Sequence, residues 1–324
     1  MNSRQRFQKT LSYGQPDRVP LFEEGIRDEV ITAWRKEGMP AGMRFSQLFA
    51  ADKREELALD VEPRPDLVHW PTRLSELDKF HQRLDPDDPA RLPADWAERV
   101  KSWQKRDHVL TLRVNWGFFQ TLGVEAWSRF EDVIYLVKDN PQLVREIMIL
   151  QGVFTARLLK RVLIDVEIDA AIFSEPIAGN HGPLISPPMF EELVLVGYEP
   201  ILAALRQFGV ENFIMRTYAN PRPLLPSIVE AGFNCLWACE SPPGSMDYQQ
   251  IREEFGRDLR LIGGVDVDVL LGDKETLRRE VKETLPPLLQ GGGFIPLADG
   301  RIRGNVPFEN YVAYRELLRD LVSG

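Results

Sequence analysis

The sequence predicts an α/β fold: one (β/α)₈ TIM-type barrel over residues 1–324, with an N-terminal helical extension and an elaborated loop region. Three observations predict it. In the second half, four short apolar runs alternate with amphipathic stretches, which calls for right-handed crossovers and a parallel sheet. Earlier strand–helix pairs bring the count close to eight. Charged residues stand just past the apolar runs, where a barrel gathers its loops at one mouth. No Gly-x-Gly-x-x-Gly follows the first strand, which argues against an open dinucleotide-binding sheet.

The elements follow in order. Residues 4–12 read as a polar helix stopped by Gly14 and Pro16, and residues 18–22 as a short strand with Glu23 and Glu24 at its far end. Helices are expected over 28–36 and 44–49. Residues 60–93 break into prolines, aspartates and short apolar pieces, with short strands conceivable at Val61 and 67–70. A helix over 95–105 precedes an alternating strand over 109–114, and Asn115-Trp116-Gly117-Phe118-Phe119 follows it. That aromatic set either lines a flat ligand's pocket or packs beneath a loop. Asn140-Pro141 is an N-cap followed by proline at the first helical position, and the helix runs to about Val162 on three- and four-residue apolar spacing. Strands are then expected over 170–173, 213–215, 234–238, 259–262 and 294–298. The helices between and after them cover 187–208, 221–231, 248–255, 275–285 and 309–321.

Composition narrows the function. The chain is 44% hydrophobic and 27% charged, an ordinary globular balance. Its net charge of -9 lacks the basic footprint nucleic acid requires, yet leaves room for a small anion in a local arginine pocket. Two cysteines make no disulfide framework. No apolar h-region follows Met1, and no run of about 18 apolar residues occurs. The expectation is a soluble, cytoplasmic protein with no membrane partner.

The expected strand ends collect Glu23 or Glu24, Asn115, Glu175, Arg216, Tyr218, Glu240, Asp266 and Asp299, with Arg301 and Arg303 just beyond. Arginines at such a mouth clamp carboxylates or phosphates, and desolvated carboxylates serve as acid or base. The alternative is that these groups only pair with one another. Cys235 and Cys239 lie four apart on an extended segment, too far to share one tetrahedral ion easily. The four histidines show no paired spacing, and only His181, in a glycine-flanked loop, is a candidate. No metal site is expected.

Several segments together resemble the uroporphyrinogen decarboxylase superfamily. They are Gln15-Pro16-Asp17-Arg18-Val19-Pro20, then Gly182 to Pro187 with Met189-Phe190, then Glu240 with Met246-Asp247. Leu261 to Asp266 and the stretch from Gly292 to Tyr311 complete the set. The resemblance spans nearly the whole chain and implies a (β/α)₈ barrel. It also implies one of two activities, tetrapyrrole decarboxylation or methyl transfer with methylated corrinoid proteins. The decarboxylases share an early Arg-Gln-Ala-Gly-Arg segment and a late Gly-His-Gly. Here the matching positions read Phe22-Glu23-Glu24-Gly25-Ile26-Arg27 and Ala298-Asp299-Gly300. The thiol-activating methyltransferases hold zinc through a His-x-Cys and a later cysteine, where this chain has Arg216, Tyr218 and Ala298. None of these three replaces an imidazole or a thiolate on zinc.

The resemblance therefore implies, first, a zinc-independent methyltransferase with no tightly bound cofactor, served by a corrinoid on a partner protein. Glu175, Glu240, Asp299 and Tyr218 are its candidate catalytic residues. Arg27, Asn115, His181, Arg216, Asp266, Arg301 and Arg303 are its candidates for holding a small anionic substrate. The alternatives are a decarboxylase of a tetrapyrrole or smaller acid, with Arg27, Arg113 or Arg216 on the carboxylates, and a non-catalytic ligand-binding barrel. Barrels of this kind often pair, so a homodimer is among the expectations.

Overall fold

Seven strands run parallel in one sheet of the computed structural model, which describes residues 1–125, 127–242 and 244–323. They are β1 (Arg54–Ala58), β2 (Val109–Asn115), β3 (Ala170–Glu175), β6 (Phe213–Tyr218), β7 (Cys235–Cys239), β8 (Arg260–Val265) and β9 (Phe294–Ala298), side by side in that order. A separate small hairpin, β4 (Ala178–Gly179) with β5 (Gly182–Pro183), follows β3. Helices connect the strands, as parallel pairing demands. Among the described residues no helix is long and apolar enough to cross a membrane.

Alternation along the strands sorts the side chains. One face carries Val109, Ala170, Ile172, Ile214, Cys235, Trp237, Ile262, Ile295 and Leu297, packed with Phe7, Leu11 and Phe22. The other carries Leu110, Leu112, Phe173, Met215, Leu236, Leu261 and Phe294, which join the larger core with the helices. The sheet is strongly curled. Glu56 on β1 and Arg216 on β6 meet at 2.9 Å, although three strand spacings would separate them by roughly 14 Å in a flat sheet. Phe7 and Leu11, on the helix Ser3–Leu11, close the interior from the N-terminal side.

Two expectations about strands are corrected. Residues 18–22 form no ladder, because Pro20 lacks the amide a ladder needs. The segment is held instead by Asp52, whose amide donates to the Leu21 carbonyl (2.7 Å) and whose carboxylate accepts the Leu21 amide (2.9 Å). Phe22 still joins the interior cluster. An eighth strand is thus absent among the described residues. Conversely, β1 was not expected, since Arg-Glu-Glu-Leu-Ala carries three charges in five residues. Val61 and residues 67–70 are not strands, and the elaborated region folds into short helical pieces such as Leu77–His81. The long helix forms as expected over Pro141–Asp165, with the Asn140 side chain accepting the Leu143 amide.

Candidate functional site

The C-terminal ends of the strands enclose a cavity of 270 Å³. β1 contributes Arg54 and Glu56, β2 Arg113, β6 Arg216 and Tyr218, and β7 Cys239 followed by Glu240. Gly300 and Arg301 come from the loop after β9, and Glu24 and Arg27 from the N-terminal segment. Arg113 and Arg216 continue, toward the mouth, the strand positions that are apolar deeper in the interior, whereas Arg54 opens β1 in register with Val109.

Glu56 is the hub. It accepts hydrogen bonds from Arg216 Nη1 at 2.9 Å and Nη2 at 3.4 Å, and Arg113 Nε stands 3.4 Å from it. Aromatic rings back the cations: Arg113 lies 3.6 Å from the Trp116 ring centroid, Arg54 4.7 Å and Arg216 5.4 Å from that of Trp237. Such stacking leaves the in-plane N–H edge of a guanidinium free. Nε of Arg113, Nε of Arg216 and Oε1 of Glu24 are buried without a hydrogen-bond partner. Buried polar groups are usually satisfied, so these mark unfilled binding capacity. Burial pushes the Glu24 carboxyl up, outweighing the pull of Arg54 and Arg216. Five guanidiniums therefore face three carboxylates in the cavity lining, an excess of positive groups.

Of the residues singled out from sequence, Glu24, Arg27, Arg113, Arg216, Tyr218, Glu240 and Arg301 meet at this cavity. The others lie elsewhere. A bulge between Arg113 and Asn115 turns Asn115 onto the helix-facing side, where its Nδ2 donates to the Tyr198 hydroxyl at 2.7 Å. Tyr198 donates to Glu175, which also accepts the Phe118 amide at 3.1 Å. Glu175 is 1% exposed, and burial pushes its carboxyl up to about 7 despite those hydrogen bonds. Asp266 and Asp299 line a different cavity of 560 Å³ with Tyr248 and Glu280. Asp299 accepts the Gly264 amide at 2.9 Å, and burial raises its carboxyl well above the usual range. Asp266 caps the turn that follows it by accepting the Asp268 amide. Arg303 pairs with Asp268 at 2.6 Å on the surface, and His181 is exposed at the tip of the β4–β5 hairpin.

Sequence reasoning missed Arg54 and Glu56, and placed Arg113 only in the decarboxylase alternative. The available signal was the alternation in 54–58, where two charges two residues apart flank the outward Glu55 and precede Leu57. For metals, Arg216, Tyr218 and Ala298 do not supply a zinc donor set, and Arg216 is already bonded to Glu56. Cys235 and Cys239 are buried, and burial pushes the Cys235 thiol up to about 12, far from a thiolate ligand's range. Among the described residues no three His, Cys, Asp or Glu side chains group to hold a metal ion.

Curled parallel sheet and arginine-lined mouth together define a barrel-like α/β protein with a charged cavity at the strand ends. The uroporphyrinogen decarboxylase (URO-D) family matches residues 124–321, well over half of the chain, and the chain belongs to that family. Among solved structures, a methyltransferase from Methanosarcina mazei shares the fold with a TM-score of 0.59, at 16% identity over 99% of each chain. No curated protein matches the chain.

Proposed function

We propose that this chain is an enzyme that decarboxylates a small polycarboxylate held by the arginine cluster, with Glu24 as proton donor. One observation carries the reading: Arg27, Arg54, Arg113, Arg216 and Arg301 converge on a single cavity. Arg27, Arg54 and Arg113 lie upstream of the segment that the family model matches. At 270 Å³ the cavity is just below the roughly 300–1,000 Å³ of a drug-sized site. That size suits a small acid better than a tetrapyrrole or a corrin ring.

In the reaction, spectator carboxylates of the substrate take the free guanidinium edges. The departing carboxylate leaves as carbon dioxide, and the electron pair of the broken carbon–carbon bond stays on the substrate. Glu24 gives that carbon a proton and is reprotonated from water. Burial raises the affinity of Glu24 for that proton.

Methyl transfer is the second reading, favoured by the end-to-end fold likeness to the methyltransferase from Methanosarcina mazei. The same arginines would hold an anionic methyl donor or acceptor, and a corrinoid would come as co-substrate on a separate protein.

The test is a panel of small di- and tricarboxylates incubated in deuterated water, with carbon dioxide release and deuterium at the vacated carbon as readouts. Glu24→Gln is expected to lose turnover by about 100-fold or more while still binding. Undiminished turnover in that variant overturns the assignment of Glu24. Protein-dependent loss of the methylcobalamin spectrum, with no carbon dioxide from any acid, moves the conclusion to methyl transfer.

A further inference from the structure

Trp116 stands one residue beyond β2 and is 39% exposed, unlike Phe118 and Phe119, which are buried. Its ring lies 3.6 Å from the Arg113 guanidinium carbon, the shortest of the guanidinium–ring stacks among the described residues. The backbone on both sides of it is pinned. Before it, the Asn115 side chain accepts the Ser174 amide at 3.0 Å and donates to Tyr198. After it, Gly117 adopts φ +109°, and a Cβ there would stand 2.6 Å from Pro176 Cδ and 3.0 Å from the Ser174 carbonyl. The Phe118 amide is then gripped by Glu175. A turn built this firmly holds an exposed indole against a cavity arginine.

Resting on the reading of the cavity as a polycarboxylate site, we propose that Trp116 is a positioning residue: it holds Arg113 flat so that the guanidinium edge meets a substrate carboxylate. The stack covers one face of a planar cation, which leaves the in-plane donors for a ligand. Arg113 needs such support, because no hydrogen bond orients its Nε and Glu56 approaches only to 3.4 Å. An aromatic partner restrains the plane without competing for the donors. The Asn115–Tyr198–Glu175 network then acts through the turn, one layer behind Trp116.

The experiment measures binding of tricarballylate by titration calorimetry to the full chain and to Trp116→Ala, Trp116→Phe, Arg113→Met and the Trp116→Ala/Arg113→Met double variant. Intrinsic tryptophan fluorescence is followed in parallel, and the part absent from Trp116→Ala is assigned to Trp116. Trp116→Ala is expected to weaken binding about three- to fivefold, the size of one partly exposed cation–π contact, and Trp116→Phe to restore it to within about twofold of wild type. In the double variant, loss of the indole should add nothing to the loss of Arg113, because the two act as a unit. The tricarballylate response assigned to Trp116 should be present in the wild type and missing from Arg113→Met. Equal, additive losses, or unchanged affinity in Trp116→Ala, overturn the positioning role and leave the anion site standing. A wild-type protein that binds no polycarboxylate overturns both.

Discussion

Glu56 holds Arg216 by two hydrogen bonds and stands beside Arg113, so it occupies donors that an incoming carboxylate would use. Removing its charge frees two cations at once. Glu56→Gln is therefore expected to tighten tricarballylate binding by about tenfold, roughly 1.4 kcal/mol, as measured by calorimetry at fixed salt. Weaker binding in that variant would mean that Glu56 orients the arginines more than it competes for them. Glu175 makes a different prediction. Its folded pKa of about 7 lies above the ordinary carboxyl value of 4.5, so the folded state holds the proton more tightly. Its stability contribution is then fullest below about pH 4.5 and is lost as pH rises toward 7. Glu175→Gln keeps an acceptor for the Phe118 amide without a charge to desolvate. Relative to wild type, that variant should gain on the order of 3 kcal/mol between pH 4.5 and 8. Urea denaturation of both proteins at several pH values checks this, and parallel curves would refute it.

At the scale of elements, the helices Pro141–Asp165 and Val196–Gln207 cross where Gly152 meets Gly197. A Cβ on Gly152 would stand 2.1 Å from the Gly197 carbonyl oxygen, and one on Gly197 2.7 Å from that of Met148. Neither obstacle is a flexible side-chain end, so the helices must part. Gly152→Ala is expected to cost about 2–4 kcal/mol, read as a fall in the thermal midpoint of several degrees. The bulge in β2 works at the same scale. It sends Asn115 to the helix layer while Arg113 stays in the mouth, and so separates two residues that strand alternation would have placed together.

Over the whole molecule, the curled sheet draws β1 and β6 across one interior, and the helix Ser3–Leu11 plugs the other end. Phe7 is 1% exposed and packs against Phe22 within the interior cluster. Phe7→Ala should destabilise the fold by about 3–5 kcal/mol through the cavity it leaves, measured by chemical denaturation. Because the plug sits opposite the mouth, tricarballylate affinity should hold in whatever fraction remains folded. Loss of binding in the folded fraction would show that the interior packing transmits to the mouth.

Apolar runs with turn signals between them determined the parallel strands β2, β3 and β6 to β9, since burial on both faces writes a continuous hydrophobic stretch into the chain. The Asn140-Pro141 helix start and the location of Arg216, Tyr218 and Glu240 at strand ends were legible for the same local reason. The long-range pairing was not. β1 went unassigned, because its inward face is the polar mouth itself, and Pro20 silenced the eighth ladder in an otherwise strand-like segment. Glu175 and Asp299 read as mouth carboxylates from their place in the sequence alone. The tertiary structure sends them away from the arginines, Glu175 by strand alternation into the helix layer and Asp299 to the Gly264 amide. It also brings Arg54, Glu56 and Arg113 against Arg216. Which charges share a cavity depends on the curl of the sheet and on one bulge, and both arise from pairing between segments that are not neighbours in the chain.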